Sequence, residues 1–395
     1  MKRVKSTALL MTYALPDSEN RLKTQLKTLL EMGFEVHTLG FGSRVLAGVS
    51  KHITIPQSSG FFANFRKGLI HLMKSPKRRF YELRVPQSVI DEASRGEYHL
   101  IVAHDLELLP LILDSSITPN EFKDSIKQVD LHELHEFESP MSGTLGIIWR
   151  LLAFRIRPYH EWLLSLLSSR QLSAATVVNQ SIGEWYVSHG YLKEFTVIRN
   201  CAPHRESLYD PRISESLEFV YHGKYAKRRG LEHLVKASLG MRPVDTLHFI
   251  LTGNRFEVDR FRSWALTVNQ NLVFHEPVEM SLVSTRLSEF DVEVIYFEPV
   301  TKNLALTLPN KFFEAVQGHL AIVSGPSKEL AGHISEYGLG KVTRGWGVEP
   351  LSLVLGGLSR GEVEPMRKNS ERASRELSRE AESKKLRSLW SSLLG

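Results

Sequence analysis

The stretch 301-TKNLALTLPNKFFEAV-316 decides how this chain is read. It follows DVEVIYF (Asp291–Phe297), a short apolar run of the kind that forms one buried strand. The spacing predicts a polar turn and then a helix from Leu308-Pro309 through Phe312, Phe313 and Val316. Proline costs nothing in a first helical turn, because that N–H has no intrahelical partner. The remaining free N–H groups and the helix dipole make such a start an anion site. Glu314 lies just over one turn in, within reach of a group held at the mouth. This pattern suits a nucleotide-diphosphate ligand. It is also compatible with an ordinary βα unit carrying a solvated glutamate, so the rest of the chain must choose.

Strand-like and helix-like runs alternate along most of the 395 residues, which argues for α/β architecture with parallel sheets. In the first half, STALLMTYAL reads as a strand, and Arg21–Met32 carries leucines at 22, 26, 29 and 30 with helical period. FEVHTLGF, ITIP, HLIVAHD, SIKQVDLHE, ATVVNQS and FTVIRN follow as strands. The polar segment Cys201–Glu218, with two prolines, reads as a linker. The alternation then restarts with LEFVYHG, TLHFILTG, NLVFHEPV, DVEVIYF and HLAIVSG. The expected organisation is a first domain 1–200, a linker 201–218, a second domain 219–364, and a C-terminal helical segment 365–395 that packs back on the first domain. Two doubly wound domains place ligands at the carboxyl ends of their strands.

Composition agrees. Hydrophobic residues make up 42% and charged residues 24%, the balance of a globular protein. The formal charge is +6, so the distribution of basic residues matters more than their sum. One cysteine, Cys201, excludes an intrachain disulfide and fits a reducing cytoplasm. The apolar run Thr7–Leu15 is too short to span a bilayer and reads as a first strand.

VYHGKYAKRRG (Val220–Gly230) places Gly223 and Lys224 directly after a strand, with Arg229 just before the next helix. Basic side chains there are placed to neutralise a diphosphate. Neither GxxxxGK[ST] nor GxGxxG occurs, so P-loop and dinucleotide chemistry lack their signatures.

Together, Gly223-Lys224, Arg229-Gly230, LTGN and NKFFEAVQGHLAIVSGP resemble the C-terminal domain of group 1 (family 4) glycosyltransferases of the GT-B fold. In that family two basic positions bracket the first loop; here Lys224 stands for Arg and Arg229 for Lys. Glu314 matches the second glutamate of the family's Glu-x7-Glu motif, and Leu306 occupies the place of the first. LPNKFFEA fits a P-x-K-x-x-E form found in some branches. The first half agrees through IVAHDLELLPLIL, VDLHELHE and VIRNCAP, the last with Cys201 where glycine is usual.

The resemblance implies two Rossmann-like domains facing a central cleft. It implies sugar transfer from a nucleotide-sugar donor to an acceptor hydroxyl, retaining, without metal or other cofactor. Donor contacts would come from Lys224, Arg229, Asn303, Leu304, Ala305, Asn310, Lys311 and Glu314, with loop amides at 303–305 facing sugar and phosphates. His132 and Asp105 are the catalytic candidates. The acceptor would be a glycan or lipid-linked molecule of the cell envelope, and the setting cytoplasmic, peripheral at the membrane's inner face.

Three rivals stand beside this. DLHELHE carries His132 and His135 among carboxylates, as metal ligands would, but HExH on a strand sends the two histidines to opposite faces. A nucleotide-sugar 2-epimerase shares the same architecture. A non-catalytic binding protein on this scaffold fits the Leu306 and Cys201 departures. Phe61–Phe80 carries six Lys/Arg and no acid, which suits an anionic membrane surface. Gly146–Leu167 mixes tryptophans and arginines and reads rather as a core helix. No nucleic-acid motif accompanies the charge.

Overall fold

The computed structural model describes residues 6–57, 75–135, 157–206, 210–226 and 230–395. The chain forms two compact units, Met1–Arg199 with Ser383–Gly395, and Asn200–Glu382.

In the first unit, strands β1 (Thr7–Met11), β2 (Glu35–Gly40), β3 (Val49–Thr54), β4 (Leu100–His104), β5 (Ile126–Leu131), β6 (Ala174–Val177) and β7 (Thr196–Val197) form one sheet. The order is β3-β2-β1-β4-β5-β6-β7. Every pairing is parallel, with Leu10 opposite Val102 and His104 opposite Asp130. β4 is buried along its whole length, as expected of a parallel strand covered on both faces. The helix Asn20–Glu31 packs Leu22, Leu26 and Leu29 into the core. Gly33, at φ 87°, supplies the left-handed residue that ends it. Residues 157–166 are helical, with Tyr159, Leu163 and Leu164 buried, so this part of Gly146–Leu167 is core.

In the second unit, β8 (Glu218–Lys224), β9 (Thr246–Thr252), β10 (Val273–His275), β11 (Val292–Ile295), β12 (Ala321–Ser324) and β13 (Gly340–Val342) form a parallel sheet. Its order is β10-β9-β8-β11-β12-β13. One core cluster joins Leu231, Leu234, Phe261, Leu351 and Leu355 to Tyr221 and Phe249. A second joins Leu287, Phe312, Phe313, Val316 and Ile334 to Val220 and Ile322.

The unit boundaries correct the expected ones. Asn200 and the segment after it belong to the second unit rather than to a free linker. Cys201 and Ala202 are buried in its core, and the Arg205 amide donates to Gln317 Oε1 at 2.9 Å. Residues 365–382 also stay there, because helix Arg360–Ser374 is tied down by buried polar contacts. Arg360 Nη1 bonds Asp291 Oδ1 at 2.7 Å, and Ser370 Oγ donates to the Leu320 carbonyl at 2.6 Å. Only 383–395 joins the first unit. There Leu386 and Trp390 enter the core beside Leu22 and Leu26, and Trp390 Nε1 donates to Gln128 Oε1 at 2.6 Å. Among the described residues no helix is long and apolar enough to cross a membrane.

Candidate functional site

Each sheet reverses its strand order once, between β1 and β4 and between β8 and β11. Such switch points open crevices at the carboxyl ends of the strands, where α/β proteins bind ligands. The candidate residues collect at these two places.

In the second unit β8 ends in His222, Gly223 and Lys224. Gly223 has φ 128°, and a Cβ there would lie 3.2 Å from Lys311 Nζ, so glycine lets Lys311 close on the strand end. Lys311 Nζ donates to the His222 carbonyl at 2.7 Å and lies 3.8 Å from the Tyr221 ring centroid. Lys224 is exposed, and among the described residues no carboxylate pairs with it. The helix Asn310–Gln317 starts one residue later than the sequence predicts, with Pro309 as N-cap and no side-chain cap. The Phe312 amide bonds the Pro309 carbonyl at 3.0 Å, so the amides left for an anion are those of Asn310 and Lys311. Asn310 Oδ1 accepts from Asn200 Nδ2 at 3.0 Å.

Glu314 faces the same strand end. Its Oε2 accepts from His222 Nε2 at 2.8 Å, and its side chain remains 20% exposed. The opposite nitrogen, His222 Nδ1, lies 3.0 Å from Oε1 of the fully buried Glu293. Burial opposes charge on His222, but the Glu293 and Glu314 carboxylates prevail and raise its pKa to about 9. Neither His222 nor Glu293 is a predicted site residue. Their signal was present in the sequence as a histidine inside VYHG and a glutamate inside DVEVIYF, two polar residues in otherwise apolar strands.

One expectation is corrected here. Asn303, Leu304 and Ala305 are not an open loop but part of a short helix, Lys302–Leu306. The Leu304 amide bonds Thr301 Oγ1 at 3.2 Å and the Ala305 amide bonds the Thr301 carbonyl at 3.0 Å. Those two amides are spent locally and do not face a ligand, because Thr301 caps the turn. Arg229 lies outside the described residues. A cavity of about 850 Å³ opens beside the β8 loop, lined by Tyr225, Phe256 and Trp264 with Glu232, Glu257 and Glu298. Its three carboxylates, against Arg260, make it a poorer diphosphate site than the Lys224–Lys311 side.

In the first unit the site is a buried polar network. Arg21, in the first turn of its helix, grips Asp130 at the end of β5 through both carboxylate oxygens, with Nε to Oδ2 at 2.9 Å. Gln25 Nε2 and Thr176 Oγ1 also bond Asp130, at 2.7 and 2.6 Å. Asp130 is fully buried, and although burial alone would raise its pKa, Arg21 and His132 hold it well below the carboxylate range. His132 Nε2 lies 3.2 Å from Asp130 Oδ2 and 2.9 Å from His104 Nδ1. Asp105, at φ 58°, occupies the left-handed region that aspartate tolerates better than most residues. Its Oδ1 accepts from the His132 amide at 2.9 Å and from His135 Nε2 at 3.0 Å.

The two histidines therefore do not point apart. β5 ends at Leu131, the alternation stops, and both rings turn toward Asp105. Burial opposes charge on each, but Asp105 raises both His132 and His135, while Asp105 itself is lowered to about 2. His104, Asp130 and His132 place one ligand atom each within 4.8 Å of one another. Arg21, Gln25 and His132 already bond Asp130 Oδ2, so its lone pairs are committed and a guanidinium stands where a metal would need open space. The residues fit a hydrogen-bonded network and not a cation.

The basic segment Phe61–Phe80 is described only from Ser75, and 61–74 lie outside the described residues. In the described part Lys77 Nζ lies 3.3 Å from Asp114 Oδ1, and Arg79 is buried. Arg79 is thus committed inside the unit, whereas Lys77 keeps about half of its side chain exposed (52%).

The parallel sheets and their strand orders match the GT-B fold. The solved structures agree. The sucrose-phosphate synthase (tll1590) from Thermosynechococcus elongatus superposes with a TM-score of 0.66 at 13% identity, over 98% of this chain and 99% of that one. Anabaena Alr3699/HepE in complex with UDP matches with a TM-score of 0.62 at 11% identity, over 98% and 100%. WaaG, a glycosyltransferase involved in lipopolysaccharide biosynthesis, matches with a TM-score of 0.61 at 11% identity, over 96% and 98%. A scan against protein-family models finds no match. A search of curated proteins finds none either.

Proposed function

We propose that this chain is a glycosyltransferase that moves a sugar from a nucleotide-sugar donor to an acceptor hydroxyl. The observation that carries this reading is the convergence of Gly223, Lys224, Lys311, Glu314 and an uncapped helix start at the switch point of the second sheet. HepE, on the same fold, has been solved with UDP and with UDP-glucose.

The chemistry follows from the charges. Leaving-group departure builds negative charge on the diphosphate. Lys224, Lys311 and the helix N–H groups stabilise that charge without reorganising, which is the largest lever such a site has. Gly223 lets a phosphate approach the backbone closely. Glu314 accepts hydrogen bonds from the ribose hydroxyls. In the first unit, Asp105 and Asp130 hold the His132 ring and its backbone in place, and His132 and Asp105 are the residues to which this reading gives the catalytic role. Charge stabilisation by lysines and amides needs no metal, and the reading is of a retaining, metal-independent hexosyltransferase serving cell-envelope glycan synthesis.

The test is incubation with a panel of nucleotide sugars and candidate glycan acceptors, following free nucleoside diphosphate and glycosylated product. Release coupled to product supports transfer. A changed sugar with no acceptor used supports epimerisation instead, and no turnover with any pair supports a binding protein.

A further inference from the structure

Glu293 sits at the centre of β11, fully buried, between Val292 and Val294 in the middle of a parallel sheet. A carboxylate there is costly unless it is paired. Its partner is on the neighbouring strand: Oε1 lies 3.0 Å from His222 Nδ1 and accepts from the His222 amide at 3.3 Å. Among the described residues its Oε2 has no hydrogen-bond partner. The far side of the same imidazole donates to Glu314 Oε2 at 2.8 Å. A carboxylate lies against each nitrogen: Nε2 donates to Glu314, and Nδ1 faces Glu293 as an ion-pair contact. Lys311, one turn before Glu314, fixes the His222 carbonyl at 2.7 Å. His222 is thus held through its ring on one side and its backbone on the other. Glu314 in turn is held by one oxygen, leaving Oε1 with no other bond among the described residues.

We propose that His222, anchored by the buried Glu293, is a positioning residue that sets Glu314 to accept the ribose hydroxyls of the donor nucleotide. This rests on the donor-site reading above. In this account Glu293 occupies a sheet-centre position for function rather than for packing. Leu306, where the family's first glutamate would stand, leaves Glu314 as the acid of that motif, so its orientation depends on the histidine clamp.

The experiment is calorimetric titration of UDP, GDP, ADP and CDP against their 2′-deoxy counterparts, on wild type, His222→Ala, His222→Gln, Glu293→Gln and Glu314→Ala. Wild type is expected to prefer the ribonucleotide by about tenfold, or ~1.4 kcal/mol. His222→Ala and Glu314→Ala should bring that ratio toward one. His222→Gln, which keeps an N–H facing Glu314, should restore most of it, and Glu293→Gln should lower it partway. A folded His222→Ala with the wild-type ratio overturns the inference and leaves the donor site standing. Should His222→Ala fail to fold, an unchanged ratio in Glu293→Gln overturns it equally. A wild type that binds none of the diphosphates, or shows no ribose preference, fails the donor-site reading itself, and that failure is visible before any variant is measured.

Discussion

Arg21 and Asp130 form a buried two-point ion pair that ties the first helix to the end of β5. Asp130 then orients His132, so one salt bridge both staples the first unit and positions the histidine proposed for catalysis. Removing Arg21 leaves a fully buried carboxylate without its cation, a change that typically costs ~3–5 kcal/mol. Arg21→Ala should lower the unfolding free energy of the first unit, measured by denaturant titration, by that order, and a change within ~0.5 kcal/mol would contradict the assignment.

Acid stability follows from the same carboxylates. Asp130 is held well below the ordinary range and Asp105 at about 2. Groups with a lowered folded pKa contribute stability above their unfolded pKa of about 3.9 and lose it as pH falls. Melting followed by circular dichroism should therefore drop between about pH 4 and pH 2, and Asp105→Asn should flatten part of that drop.

At the alkaline end the sign reverses. His222 is raised to about 9, so its contribution is full below an unfolded pKa of about 6.5 and lost as pH rises through 9. Wild type should lose stability across that window, whereas His222→Gln should show no such slope. An identical slope in both would place the titration elsewhere.

Gly223 has φ 128°, where a side chain is strained by ~1–3 kcal/mol, and its Cβ would press on Lys311 Nζ. Gly223→Ala should destabilise the second unit by that amount and weaken nucleoside-diphosphate binding severalfold. Unchanged binding would separate Lys311 from the diphosphate.

Much of this architecture was readable because parallel strands buried on both faces give continuous apolar runs, as in LIVA of β4 and VEVI of β11. That Gly223 and Lys224 end one strand and that Lys311 and Glu314 open one helix was readable, because one strand end and one helix start fix those positions. What local pattern could not show were contacts between distant residues. Arg21 and Asp130 lie 109 residues apart, His222 and Glu314 92 apart. The helical turn at 302–306 was missed because Thr301 caps it in a stretch whose polarity resembles a loop. The domain boundary shifted because Arg360 and Arg367 look solvated in sequence, yet both are buried around Asp291.

The central claim is that the carboxyl end of the second sheet holds a nucleoside diphosphate through Lys224, Lys311 and Glu314. Calorimetric titration of UDP, GDP, ADP and CDP into wild type, Lys224→Ala, Lys311→Ala and Glu314→Ala tests it most directly. Each lost charge-assisted contact should weaken the preferred diphosphate about tenfold or more, with the fold intact by circular dichroism. Wild-type affinity retained in all three variants would contradict the account.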